Sequence, residues 1–134
     1  MKILLCTLIS CIALNAYGQV SVIANKSVSE SSLSSAKISS IYMLEKTTWS
    51  NGSKIVVFDN SSDVKTDFYD MIGKDQLNIR KEWMKKQLTG EAKAPETLGS
   101  DAEVIKKVAA TPGAIGYVKS SSVTGDVKVI AGSK

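Results

Sequence analysis

The hydroxyl, amide and carboxyl groups best placed to act together lie in one stretch, Asp59-Asn60-Ser61-Ser62-Asp63. Few reactive partners surround it. The chain has no histidine, and its two cysteines, Cys6 and Cys11, both fall near the N-terminus. The commonest general base and the commonest metal ligand are therefore missing. Once the N-terminal segment is set aside, serine–histidine, cysteine–histidine and zinc sites are excluded. No enzyme activity, metal or cofactor is expected. The acids Asp59, Asp63, Asp67 and Asp70 are close enough to share part of a face, but calcium would need a looped spacing with an internal glycine, which they lack. Ser and Asp are default residues at helix starts. By that rule Ser62 is a helix cap and Asp63 a first-turn acid that stabilises the helix dipole.

The elements around this stretch follow from periodicity and punctuation. Residues 20–24 alternate loosely and read as a first strand. A serine-rich loop leads to Ser34, which can cap a helix carrying Ile38, Ile41, Tyr42 and Leu44. Trp49-Ser50-Asn51-Gly52-Ser53 is a turn, and 54–58 a short buried strand. The next helix, with Val64, Phe68 and Ile72 on one face, ends at Gly73. Asp75 can cap a third, amphipathic helix. Its apolar arc collects Leu77, Ile79, Trp83, Met84 and Leu88, opposite Lys81, Glu82, Lys85 and Lys86. Residues 91–99, with Pro95, read as loop. Ser100-Asp101-Ala102-Glu103 has the capping-box form, and Val104, Ile105 and Val108 give that helix its buried face. Proline and glycine in Thr111-Pro112-Gly113 end the helix. Ala114-Ile115-Gly116-Tyr117-Val118 is a strand whose internal glycine implies that something approaches closely. A last strand is expected near 126–130. Strands separated by helices argue for an α/β layer structure.

Residues 1–18 read as a secretory signal peptide: Lys2, an apolar run from Ile3 to Leu14, and a small-x-small site at Ala16-Tyr17-Gly18. Cleavage after Gly18 leaves 19–134 as one domain without thiol or disulfide, large enough for a real core. A lipid-modified Cys11 is the lesser alternative, because the apolar run before it is short. The net charge of +4 is spread along the chain. The basic stretch 80–86 contains an acid and Trp83 and is too sparse for nucleic acid, so it reads as a solvated helix face. Trp49 and Trp83 are expected in the core.

Three segments jointly resemble the phosphate-type periplasmic solute-binding proteins of bacterial ABC importers. They are Leu33-Ser34 through Ile41-Tyr42 with Lys46-Thr47-Thr48-Trp49-Ser50-Asn51-Gly52-Ser53-Lys54-Ile55, then residues 59–68, then Thr111-Pro112-Gly113-Ala114-Ile115-Gly116-Tyr117-Val118. The resemblance implies an α/β fold: a single lobe of a type II periplasmic-binding-protein fold, with a central mixed sheet flanked by helices. Full-size members bind the anion between two lobes, and the second lobe has no counterpart here. In such proteins a Ser-Gly-Thr loop holds phosphate through helix N–H groups and hydroxyls. Aligning Phe68 with the family phenylalanine sets Ser62 at the serine, Asp63 at the glycine, Val64 at the threonine and Phe58 near a basic residue. One hydroxyl survives, and Asp63 would repel an arriving phosphate by roughly one to a few kcal/mol if partly buried.

The expectation is therefore a secreted or periplasmic solute-binding-like domain. Asn60, Ser61 and Ser62 are the candidate ligand contacts, and a small oxyanion such as phosphate, carried for ABC-type transport, is the ligand. The alternative is an interaction module without a ligand, docked on a membrane transport or sensor protein. A homodimer stays open, and no nucleic acid is expected.

Overall fold

The computed structural model describes residues 19–132. The expected signal peptide, with Cys6, Cys11 and the cleavage point after Gly18, lies outside the described residues. The elements are β1 (Val20–Ala24), α1 (Ser35–Tyr42), β2 (Val56–Asn60), α2 (Val64–Met71), α3 (Gln76–Leu88), β3 (Glu96–Leu98), α4 (Asp101–Ala110), β4 (Ala114–Lys119), a 3-10 turn (Ser120–Ser122) and β5 (Lys128–Gly132).

The strands form one five-stranded sheet in the order β3-β2-β4-β1-β5. β2 runs parallel to β3 and β4, whereas β1 runs antiparallel to β4 and β5. The sheet is mixed, as expected. Strand side chains alternate between its faces, and both faces are covered. Val22, Ala24, Ile115 and Tyr117 pack with Ile38, Ile41, Phe68, Ile79 and Trp83 of α1, α2 and α3. Ile23, Phe58, Ala114 and Val118 pack with Val104, Ile105 and Val108 of α4.

Local signals hold where they are self-contained. Ser34 accepts from the Lys37 N–H at 3.3 Å, and Ser100 accepts from the Glu103 N–H at 3.2 Å. Asp75 caps α3 through the Leu77 N–H. Trp49 and Trp83 are buried, and the Trp83 indole donates to the Tyr42 carbonyl at 2.6 Å.

The close approach implied by Gly116 comes from α4. A Cβ there would lie 2.7 Å from Val104 Cγ1 and 3.1 Å from Val108 Cγ2. The glycine lets the helix settle onto the strand. Gly113 has φ +80°, and a Cβ on it would run into the Lys54 carbonyl oxygen.

Three expectations are corrected. Residues 91–99 are not all loop: Glu96–Leu98 forms the parallel edge strand β3. Three residues after a proline carry no alternation to read, and only pairing with β2 makes them a strand. The second strand begins at Val56 and runs to Asn60, which brings Asp59 and Asn60 into the sheet. The apolar arc of α3 is only partly buried. Ile79 and Trp83 face the core, while Leu77, Met84 and Leu88 are 60%, 65% and 81% exposed. α3 leans on the rest of the lobe along the narrow stripe through Ile79 and Trp83, so the remainder of the arc points outward.

Candidate functional site

The parallel strands β3, β2 and β4 end together at Leu98, Asn60 and Lys119, beside the first turns of α2 and α4. In open α/β sheets this carboxyl edge is where ligands bind, because helix N-termini and loops converge there. Asn60, Ser61 and Ser62 lie on it.

Asn60 is fully buried. Its Nδ2 donates to the Tyr117 carbonyl at 2.9 Å and to Asp101 Oδ1 at 2.9 Å, and its Oδ1 accepts from the Ser62 N–H at 2.9 Å. The Ser61 hydroxyl donates to the Leu98 carbonyl at 3.2 Å and is at the exposed rim. The Ser62 hydroxyl donates to Asp101 Oδ1 at 3.1 Å. Ser62 is thus not the helix cap that its residue type suggests. Asp63 is the cap residue of α2, without a capping bond from its side chain. Its carboxylate pairs instead with Lys119 Nζ at 3.1 Å. That contact sets a cation beside the acid that the alignment with a phosphate loop makes unfavourable.

Asp101 gathers the edge together. Its Oδ1 accepts from Asn60 Nδ2 and Ser62 Oγ. Its Oδ2 accepts from the Lys119 N–H at 3.0 Å and from Ser122 Oγ at 2.7 Å. Burial pulls its carboxyl upward, but the bonds from Asn60, Ser122, the Lys119 N–H and Ser62 outweigh it and leave the group below its usual value. In the sequence Asp101 is only the second residue of a capping box. Its partners lie far along the chain, so nothing local could have picked it out.

Beneath the edge lies a second polar group. Asp59 is 1% exposed. It accepts from the Tyr117 hydroxyl at 2.5 Å and the Tyr69 hydroxyl at 3.0 Å, and pairs with Lys65 Nζ at 3.1 Å. The Tyr117 oxygen also accepts from the Asn60 N–H at 3.2 Å, so the floor of the candidate site rests on this phenol. The Tyr117 ring stacks on Phe68, with centroids 3.7 Å apart. The sequence reading grouped Asp59 with Asp63, Asp67 and Asp70; the structure separates it from them by burying it.

Asn25, just after β1, closes the end of a helix. Its Nδ2 donates to the Val108 and Ala109 carbonyls at 2.8 and 3.1 Å, at the end of α4.

The tyrosines carry a pH prediction. Burial, then the negative charge of Asp59, raises the hydroxyls of Tyr69 and Tyr117; burial also raises Tyr42. A phenol titrates near about pH 10 when unfolded. Each is held protonated in the fold beyond that pH, so its contribution is intact below about pH 10 and is lost as pH rises above it. Unfolding free energy is expected to fall by about 1.4 kcal/mol per pH unit for each such tyrosine. Urea titrations across this range check it, with Tyr69→Phe expected to remove one tyrosine's share of the slope. An unchanged slope in the variant would refute the assignment.

No protein-family model matches the sequence, and no curated protein does. Solved structures do match in fold. One is a protein from Clostridium perfringens assigned as a phosphate ABC transporter substrate-binding protein and solved with bound phosphate. It has a TM-score of 0.68 at 19% identity, over 83% of this chain and 43% of that one. An ABC-type phosphate transport receptor from Vibrio cholerae gives 0.65 at 18% identity, over 83% and 44%. PstS from Borrelia burgdorferi gives 0.62 at 16% identity, over 87% and 49%. The chain spans less than half the length of each. At these identities the likeness is one of fold: a single α/β lobe, with a five-stranded mixed sheet flanked by helices, like part of the phosphate substrate-binding proteins.

Proposed function

We propose that this protein is an exported, periplasmic or secreted, solute-binding lobe. Its carboxyl edge takes a small oxyanion such as phosphate for ABC-type transport, and it acts by binding rather than catalysis. The observation that carries the reading is the placement of Asn60, Ser61 and Ser62. In a lobe with the fold of phosphate-binding proteins, they stand where three parallel strands end beside the start of α2. Hydroxyls and a helix N-terminus are the groups that hold an oxyanion without a metal. Lys119 against Asp63 supports it by offsetting the nearest exposed negative charge.

Calorimetric titration of the purified protein with phosphate and sulfate tests the reading. Binding in the millimolar range or tighter is expected. Ser62→Ala is expected to weaken it about tenfold to a hundredfold, the worth of one hydrogen bond to a charged ligand. Silence toward every oxyanion, or binding indifferent to Ser62→Ala, would overturn it.

A further inference from the structure

The cradle at the carboxyl edge is already filled, and by the chain itself. Asn60 Nδ2 from β2, Ser62 Oγ from the approach to α2, the Lys119 N–H from β4 and Ser122 Oγ from the 3-10 turn all point at one carboxylate, two donors to each oxygen. Four donors from four segments meeting on two oxygens is the arrangement expected for a bound anion. Asp101 and Ser122 also line an open groove of about 700 Å³ between α4 and the segment that leads from the 3-10 turn to β5, together with Ile105, Lys106, Thr124 and Asp126. Asp101 is half-buried and stands on the wall of this groove.

We propose that Asp101 is a built-in occupant of the anion cradle. Its carboxylate takes the place of a small free oxyanion, and a free anion binds at full strength only when that carboxylate is neutralised or displaced. This rests on the reading of the carboxyl edge as an anion site, and it makes Asp101 the residue that limits affinity there. The physical reason is double. The carboxylate consumes the donors, and its charge repels a second anion at short range. Asp126 on the groove wall repels as well, while Lys106 attracts.

The experiment removes the carboxylate and supplies another. In Asp101→Ala the cradle is vacated, and formate is the smallest carboxylate that could refill it. The variant is expected to melt below the parent chain. Sodium formate should raise its melting temperature relative to chloride at matched ionic strength, by mass action on the folded state, and should leave the parent unmoved. Phosphate should bind the variant about tenfold or more tightly than the parent.

A variant that is folded by circular dichroism, yet gains no more than the parent from formate or phosphate, would overturn the proposal. Should Asp101→Ala fail to fold even in formate, Asp101→Asn keeps the shape and removes the charge. Phosphate binding severalfold tighter than the parent's is then expected, and equal or weaker binding overturns the proposal.

The two readings fail differently. A silent parent with a binding Asp101 variant supports the occupied cradle and removes oxyanion binding by the parent. A parent that binds phosphate through Ser62, with Asp101 variants no tighter, does the reverse.

Discussion

Replacing Gly113 with alanine is expected to lower the unfolding free energy by roughly 3 kcal/mol or more. Two costs add. The residue sits at φ +80°, where a Cβ costs an L-residue about 1–2 kcal/mol. The new methyl also drives into the Lys54 carbonyl oxygen, a backbone atom that cannot step aside. The same Lys54–Gly113 contact seats β2 against β4: the Val56 N–H donates to the Gly113 carbonyl at 3.1 Å, and the Trp49 indole donates to that carbonyl at 2.9 Å. Any movement of Gly113 therefore reaches the parallel pair on which the site stands. A melting-temperature fall on the order of 10 °C follows for a domain of this size. Two controls apportion it. Gly90→Ala, at φ +77° with open space around it, should lose only the backbone strain of about 1–2 kcal/mol. Gly125→Ala, with neither constraint, should stay within about 0.5 kcal/mol of the parent. If Gly113→Ala melts no lower than Gly90→Ala, the contact with Lys54 carries no weight.

The second large effect lies at Asp59. Asp59→Ala leaves the Lys65 ammonium and the Tyr69 and Tyr117 hydroxyls facing a void, and a cost of about 3–5 kcal/mol is expected. Lys65→Met should cost about 1–2 kcal/mol, because the two phenols still hold the carboxylate and the lysine side chain is 21% exposed. Asp59→Asn should fall between them, since the amide oxygen still accepts a phenol proton. Urea denaturation ranks the three. The effect extends to the site, because the Tyr117 hydroxyl placed by Asp59 also supports the Asn60 main chain. An Asp59→Ala variant as stable as Lys65→Met would mean that the buried carboxylate organises nothing.

Much of the lobe could be read along the chain. Ser34, Asp75 and Ser100 cap their helices because a cap depends on residues within one turn. Gly116 announced a close neighbour before Val104 and Val108 were known to be that neighbour. Asn60, Ser61 and Ser62 were marked as a polar group opening a helix, and they stand together at its start. Other features had no local signal. Ser62 and Asp63 have the residue types of a cap, but their side chains bond Asp101 and Lys119 instead, from distant segments. Asp59 looks like a loop acid until β2 extends far enough to bury it. The α3 wheel groups its apolar residues without saying which part of the arc meets the core.

The sequence by itself determined the α/β alternation of elements, most helix starts, the tryptophans of the core and the polar stretch that leads from β2 into α2. These rest on interactions within a few residues or on simple periodicity. Only the tertiary structure decided the strand order β3-β2-β4-β1-β5, the existence of β3, the burial of Asp59 and the seating of Asp101 among donors from four segments. Those depend on contacts between residues tens of positions apart. A carboxylate's role is set by the donors that reach it, and here every one of them arrives from another part of the chain.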